Sequence, residues 1–215
     1  AKAFGKEIPL YAPENGLIAI NIPLTPSRVG SCSTRTMHPY FLSKIVSVLQ
    51  SVGINNPVIN PFQFKTKGEC VAECHDRTLL DSLASISVSC SHPSRRQNWI
   101  RKQAKNCGYC IPCLIRRASL HVANLDDGQA YGLDVSKGEL TVSSALNSAN
   151  DLRALISFLY MNESVSKLEN LIMSIAPVND LHKYNAMLKR GFAEIQAWVK
   201  DKANSQMQEI ATLNK

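Results

Sequence analysis

Cys107-Gly-Tyr-Cys110-Ile-Pro-Cys113 sets three thiols at intervals of three, and Cys90 upstream is the natural fourth. That spacing lets consecutive sulfurs turn from a tight knuckle toward one ion. Zinc takes four thiolates tetrahedrally at about 2.3 Å, and a closed set of four cysteines leaves no coordination position for a substrate water, so the expected role is structural. Two other readings of the same cysteines stand beside this one. An iron–sulfur cluster opens with the same C-x2-C-x2-C run, but Leu114-Ile-Arg-Arg117 lacks the x3-C-P that follows it. Disulfides are disfavoured because seven cysteines leave one over and the chain shows no secretory signal segment. Cys32, Cys70 and Cys74 read as ordinary small side chains, the last two one helical turn apart.

Two further segments carry polar chemistry. Thr25-Pro-Ser-Arg28-Val-Gly-Ser-Cys-Ser33-Thr-Arg35-Thr36-Met-His38 offers hydroxyls and two guanidinium forks ahead of a helix start, a set that suits phosphate or carboxylate oxygens. Lys65-Thr-Lys67-Gly-Glu69 repeats the logic with two ammonium groups. The bland alternatives are a serine-rich loop with chance arginines, a His38 that bonds only its own loop, and a Glu69 favoured by a helix dipole. His92 reads as a surface residue beside Cys90.

The elements that must position these groups follow from periodicity and charge. Gly16 to Leu24 is a short apolar run bounded by Gly and Pro, which predicts a buried strand. After the polar loop, Leu42, Ile45, Val46, Leu49 and Val52 fall at helical spacing, with Pro39 in the first turn and Gly53 past the end. Strand, loop and helix would make half of an α/β unit. Asn56 to Pro61 reads as extended or turn-like. A helix is expected from Glu69 to about Ala84, the knuckle from 90 to 113, and a short helix from Leu114 to Asn124. Beyond 148 the chain becomes helical, with apolar stripes at Leu152, Leu155, Ile156 and Leu159, and later at Phe192, Ile195, Trp198 and Val199. The division expected is residues 1–148, an α/β region with its knuckle, and 149–215, a helical extension.

The net charge of +7 is concentrated in two acid-free stretches. Arg95, Arg96, Arg101, Lys102, Lys105, Arg116 and Arg117 lie in one, and Arg28, Arg35, Lys44, Lys65 and Lys67 in the other. That pattern suits an anionic ligand. With 45% hydrophobic residues and no long apolar run, the chain is expected to be a soluble, cytoplasmic globule with no membrane partner. It begins Ala1-Lys-Ala-Phe4, which suggests the back part of a longer protein.

Ser89-Cys90, Cys107-Gly-Tyr-Cys110-x-x-Cys113-Leu-x-Arg116 and the upstream Lys65-Thr-Lys67-x-Glu69 together resemble the C-terminal half of QueC-type 7-cyano-7-deazaguanine synthases. The loop from Arg28 to His38, followed by Pro39-Tyr-Phe-Leu42, is more similar to the QatC-type, QueC-like proteins of bacterial anti-phage defence. The similarity spans roughly residues 14–135.

The resemblance implies the C-terminal part of a Rossmann-like ATP-pyrophosphatase fold, a structural zinc, and ATP with Mg2+ as substrate. A 7-carboxy-7-deazaguanine-type acid would be activated as its adenylate and attacked by ammonia or, in the defence relatives, by a protein amine. Lys65 and Lys67 would be catalytic. Arg28, Ser33, Arg35, Thr36, His38 and Glu69 would bind nucleotide or substrate. The family's Ser-Gly-Gly-x-Asp-Ser pyrophosphate loop is absent from these 215 residues. A triphosphate needs such a backbone nest, so the resemblance implies an N-terminal segment or a partner chain, and a protein partner from the same defence system. The alternative is a zinc-knuckle module that binds nucleic acid or protein through its basic residues without catalysis.

Overall fold

Asn15 and Asn21 decide the first helix. In the computed structural model, which describes residues 2–25, 36–161 and 165–212, the run read as a strand begins as helix α1, Gly16–Ile20. Asn15 caps it, its side-chain oxygen accepting from the Ile18 N–H at 3.2 Å, and Asn21 ends it in the left-handed conformation at φ 44°. An all-apolar run does not distinguish a buried strand from a buried helix by periodicity, and here the two asparagines settle it. The expected strand before the loop is therefore not formed.

The α/β character comes from elsewhere. Strands β1, Leu10–Tyr11, and β2, Val58–Ile59, pair in parallel, so the chain between them is a crossover carrying helices. Side chains extend this two-residue ladder at both ends. Asn56 donates to the Gly5 and Ile8 carbonyls at 2.7 and 2.9 Å, and Asn60 donates to the Glu14 carbonyl at 2.8 Å. The structure is mixed α/β and mostly helical, with this small parallel sheet. Helix α2, Pro39–Ser51, forms as its periodicity predicts, with Pro39 first and Gly53 beyond it at φ +76°. Its apolar stripe, however, has no buried member, and Tyr40, Phe41, Ile45, Val48 and Val52 are exposed.

The single helix expected over 69–84 is two, α3, Lys67–Ala72, and α4, Arg77–Ala84. Asp76 restarts the chain by accepting from the Leu79 N–H at 2.8 Å. Helix α5, Ile111–His121, leaves the knuckle. Helices α6 (Asn150–Tyr160), α7 (Val165–Met173), α8 (Leu181–Lys202) and α9 (Ser205–Thr212) complete the order.

Packing gives two compact units, Ala1–Thr66 with Ser164–Lys189, and Lys67–Glu163 with Arg190–Lys215. The change of composition at 148/149 does not coincide with this division. In the first unit Leu17, Ile20, Ile172 and Met187 are buried, and Gly16 sits so close to the Gln63 carbonyl that a Cβ would lie 2.3 Å from it. In the second, α5 packs on α3 and α6, and α6 on α9. The stripes Leu152, Leu155, Ile156, Leu159 and Phe192, Ile195, Trp198, Val199 are buried as core. Among the described residues no helix is long and apolar enough to cross a membrane.

Candidate metal centre and its surroundings

The knuckle turn requires Gly108. Its φ is +89°, and a Cβ there would lie 2.1 Å from the Leu133 carbonyl oxygen. The backbone of residues 131–133 runs beside the turn, with Gly132 N–H donating to the Asn106 carbonyl at 2.8 Å and Leu133 N–H to that of Cys107 at 3.0 Å. Cys110 then occupies the N-cap position of α5, which carries Cys113 one turn inside. Ser89, next to Cys90, is fixed by its N–H, which donates to the Asn106 side chain at 2.9 Å.

These constraints bring the sulfurs of Cys90, Cys107, Cys110 and Cys113 within 4.8 Å of one another, the last three being buried. Two zinc–thiolate bonds of about 2.3 Å at the tetrahedral angle place their sulfurs about 3.8 Å apart. Cys107 and Cys113 Sγ are 3.7 Å apart. Backbone N–H groups of His92 and Cys107 point at Cys90 Sγ, each at 3.3 Å, and those of Tyr109 and Cys110 at Cys107 Sγ, at 3.4 and 3.3 Å. Such donors stabilise negative sulfur and orient the ligands. The cysteines around it, with Cys107 first, donate to Cys90 and hold its thiol far below its ordinary value. Cys107, hydrogen-bonded to Cys110, Cys113 and Cys90 and buried, is pushed far up. A dication at the centre would replace these shared protons. The four cysteines fit a metal ion such as zinc, and nothing among them offers a substrate position.

Three segments that are distant in sequence meet beside this centre. Lys67 Nζ lies 3.2 Å from Ser89 Oγ, and Arg116 Nη1 donates to the same oxygen at 3.4 Å. Arg116 also donates to the Ala84 carbonyl. The other motif residues are placed differently. Gly68 N–H donates to the Glu194 carboxylate at 3.2 Å, so the start of α3 holds an anion from its own chain. Glu69 is in an ion pair with Arg190, Nε to Oε1 2.5 Å. In the first unit, Lys65 holds α1 through its carbonyl, which accepts from the Gly16 N–H at 2.9 Å. His38 is buried and caps α2, its Nδ1 accepting from the Tyr40 N–H at 3.3 Å. Thr36 is exposed. Arg28, Ser33 and Arg35 lie outside the described residues, as does Cys32.

The basic stretch around the knuckle separates into two classes. Arg95, Arg96, Lys102 and Lys105 are exposed. Arg101, counted from sequence among the basic residues suited to an anionic ligand, instead donates to the Tyr131 carbonyl at 2.6 Å and pairs with Glu139 through both terminal nitrogens. Glu139 lies 38 residues away in sequence, and no local pattern announces it. Arg117 is buried between Asp126 and Asp134 and stacks between Tyr131 and Trp198, its guanidinium 5.1 and 4.9 Å from the ring centroids. Asp126 also accepts from the Trp198 indole N–H at 2.9 Å, which fastens the C-terminal part of α8 within the knuckle unit.

Compared with family models, curated proteins and solved structures, the chain matches none.

Proposed function

We propose that this chain is the knuckle-bearing part of a QueC-like, ATP-dependent carbon–nitrogen ligase. In this reading it activates a 7-carboxy-7-deazaguanine-type carboxylate as its adenylate for attack by ammonia or a protein amine, in an anti-phage setting. The observation that carries the proposal is the meeting of Lys67, Ser89 and Arg116 at one hydroxyl beside the cysteine cluster. Each comes from a different one of the segments that resemble the synthases. Zinc holds the knuckle, α5 holds Arg116, and the cations are placed to meet an anion. Lys67 would neutralise charge as pyrophosphate leaves, the kind of electrostatic contact that usually contributes most to catalysis. A further segment or a partner chain supplies the pyrophosphate loop. The first unit favours such a partner, because parallel sheets normally have both faces covered, whereas Leu10, Tyr11 and Ile59 are exposed and no residue of α2 is fully buried.

Burial weighs against the nucleic-acid module reading. Trp99 and Tyr109, the aromatics nearest the knuckle, are each 1% exposed and offer no stacking face, and Arg116 and Arg117 are buried. The test of the ligase is carboxylate-dependent exchange of pyrophosphate with ATP, by the chain with and without a segment carrying the Ser-Gly-Gly-x-Asp-Ser loop. Exchange is expected only with that segment. Lys67→Ala should lower it about a hundredfold, while Arg95→Ala, at an exposed position, leaves it unchanged. Robust exchange by the chain alone, or equal losses in the two variants, overturns the assignment.

A further inference from the structure

Arg116 is 6% exposed, yet its only bonds are to the Ser89 hydroxyl and the Ala84 carbonyl, and no carboxylate among the described residues reaches it. Its neighbour Arg117 shows the usual solution in this fold, two buried aspartates. A buried charge without a counterion is costly, and proteins keep one where something else supplies the opposite charge. Arg116 lines an open cavity of about 270 Å³ between α3, α4 and α5. Lys67 lines the same space, and its remaining walls are largely aliphatic, Val71, Leu80, Leu83 and Leu120 among them. The carboxylate of Asp76, also in the lining, is committed to capping α4. Leu79 and Leu83, 52% and 45% exposed, leave the cavity open to solvent on the α4 side.

We propose that this cavity binds a small apolar carboxylic acid, whose carboxylate serves as the counterion of Arg116 and whose body lies against Leu80, Leu83 and Leu120. The guanidinium fork matches a carboxylate in geometry and charge. A phosphate ester would bring about two charges and a demand for donors that these aliphatic walls do not meet. The volume falls just below the range of ordinary ligand pockets, about 300–1,000 Å³, which limits the body to a single ring or a short branched chain. This inference goes beyond the ligase reading and does not rest on it, since it concerns binding in the absence of ATP.

The experiment titrates the zinc-loaded chain calorimetrically with 3-phenylpropionate and 4-methylpentanoate, with 3-phenylpropanamide and inorganic phosphate as controls. Saturable one-site binding of the acids is expected, about tenfold or more tighter than that of the amide, because only the acid neutralises Arg116. Arg116→Gln should abolish the preference for acid over amide. Leu83→Glu, at a part-exposed rim position, removes an apolar contact that acid and amide share and adds a negative charge that only the acids feel, so it should weaken the acids about tenfold more than the amide and decides the matter if Arg116→Gln does not fold. Equal binding of acid and amide overturns the proposal, as does the absence of saturation, competition by phosphate as strong as by the acids, or indifference to Leu83→Glu. Binding confined to peptides with a free C-terminal carboxylate, with the small acids silent, overturns it as well.

Discussion

Replacing Arg117 with methionine should remove a large fraction of the stability of the knuckle unit. The guanidinium side chain is 2% exposed, and the side chains of its partners Asp126 and Asp134 are 1% and 2% exposed. Its Nη1 lies 2.7 Å from Asp134, and its Nε and Nη2 lie 3.2 Å from Asp126. Methionine fills similar space but leaves two carboxylates buried without a cation. Breaking a buried pair in this way costs about 3–5 kcal/mol, against a total of about 5–15 kcal/mol for a typical domain. The stacking on Tyr131 and Trp198 is lost in the same step, so it overlaps that figure and is not added to it. At about 2 kcal/mol per molar urea, the midpoint should fall by about 2 M. The assay is urea unfolding of the zinc-loaded chain followed by tryptophan emission, because the chain has 2 tryptophans and both are buried in this unit. Adding Asp126→Asn and Asp134→Asn to Arg117→Met removes the orphaned charges and should restore at least about 2 kcal/mol. A loss below about 1 kcal/mol in the single variant, or a triple variant no more stable than the single, refutes the reasoning.

Other expectations are more local. The purified chain should contain one zinc and be colourless; iron by elemental analysis, or visible absorption of a cluster, would replace zinc at the four-cysteine site. Gly108→Ala should lose zinc to a chelator far faster than the parent chain, since the new Cβ meets the Leu133 carbonyl at 2.1 Å and the backbone must leave φ +89°. A chelation rate matching the parent's would show that the turn tolerates the side chain. Acid should loosen the unit. Burial opposes ionisation of Asp134, but hydrogen bonds from Ser136 and Arg117 hold its carboxyl below the usual range, and the Arg101 hydrogen bond does the same for Glu139. A lowered folded value contributes stability that is complete only above the ordinary unfolded values and is lost as pH falls through the lowered ones, so the urea midpoint should begin to drop below about pH 5 and stay flat above it as far as these two groups act. The drop should shrink in Asp134→Asn.

The cysteine cluster was legible because the geometry of three of its members is local: three residues on one turn, at intervals of three, can face only a small volume. Helix α2 was legible for the same reason, its stripe and both end signals lying within one window. Burial was not. The stripe of α2 marked an apolar face, and the structure covers that face only in part, with Leu42, Val46 and Leu49 half-buried and Ile45 and Val52 exposed, because periodicity reports which side of a helix is apolar and not what lies against it. The strand read over 16–24 failed at its caps, since Asn15 and Asn21 act through one hydrogen bond and one left-handed residue that an apolar count ignores. Long-range polar partners were invisible throughout. Glu194 at the start of α3, Glu139 on Arg101 and Trp198 on Asp126 are 126, 38 and 72 residues from the groups they bind.

Those partners change the meaning of the motif residues. Along the chain, Lys67-Gly-Glu69 offers a cation, a helix start and a carboxylate, all open to a ligand. In the fold, Glu194 occupies the helix start and Arg190 takes Glu69. The cations Lys67 and Arg116 turn instead toward Ser89 and the cavity behind it. A residue type in a motif states which chemistry is available; the internal partners state how much of that chemistry is already engaged. Arg101, Arg116 and Arg117 make the point with one side-chain type in one basic stretch. The first is neutralised by Glu139, the third by two aspartates, and the second meets no carboxylate among the described residues. That difference is what makes Arg116, rather than the charge total of the knuckle, the residue from which a ligand can be inferred.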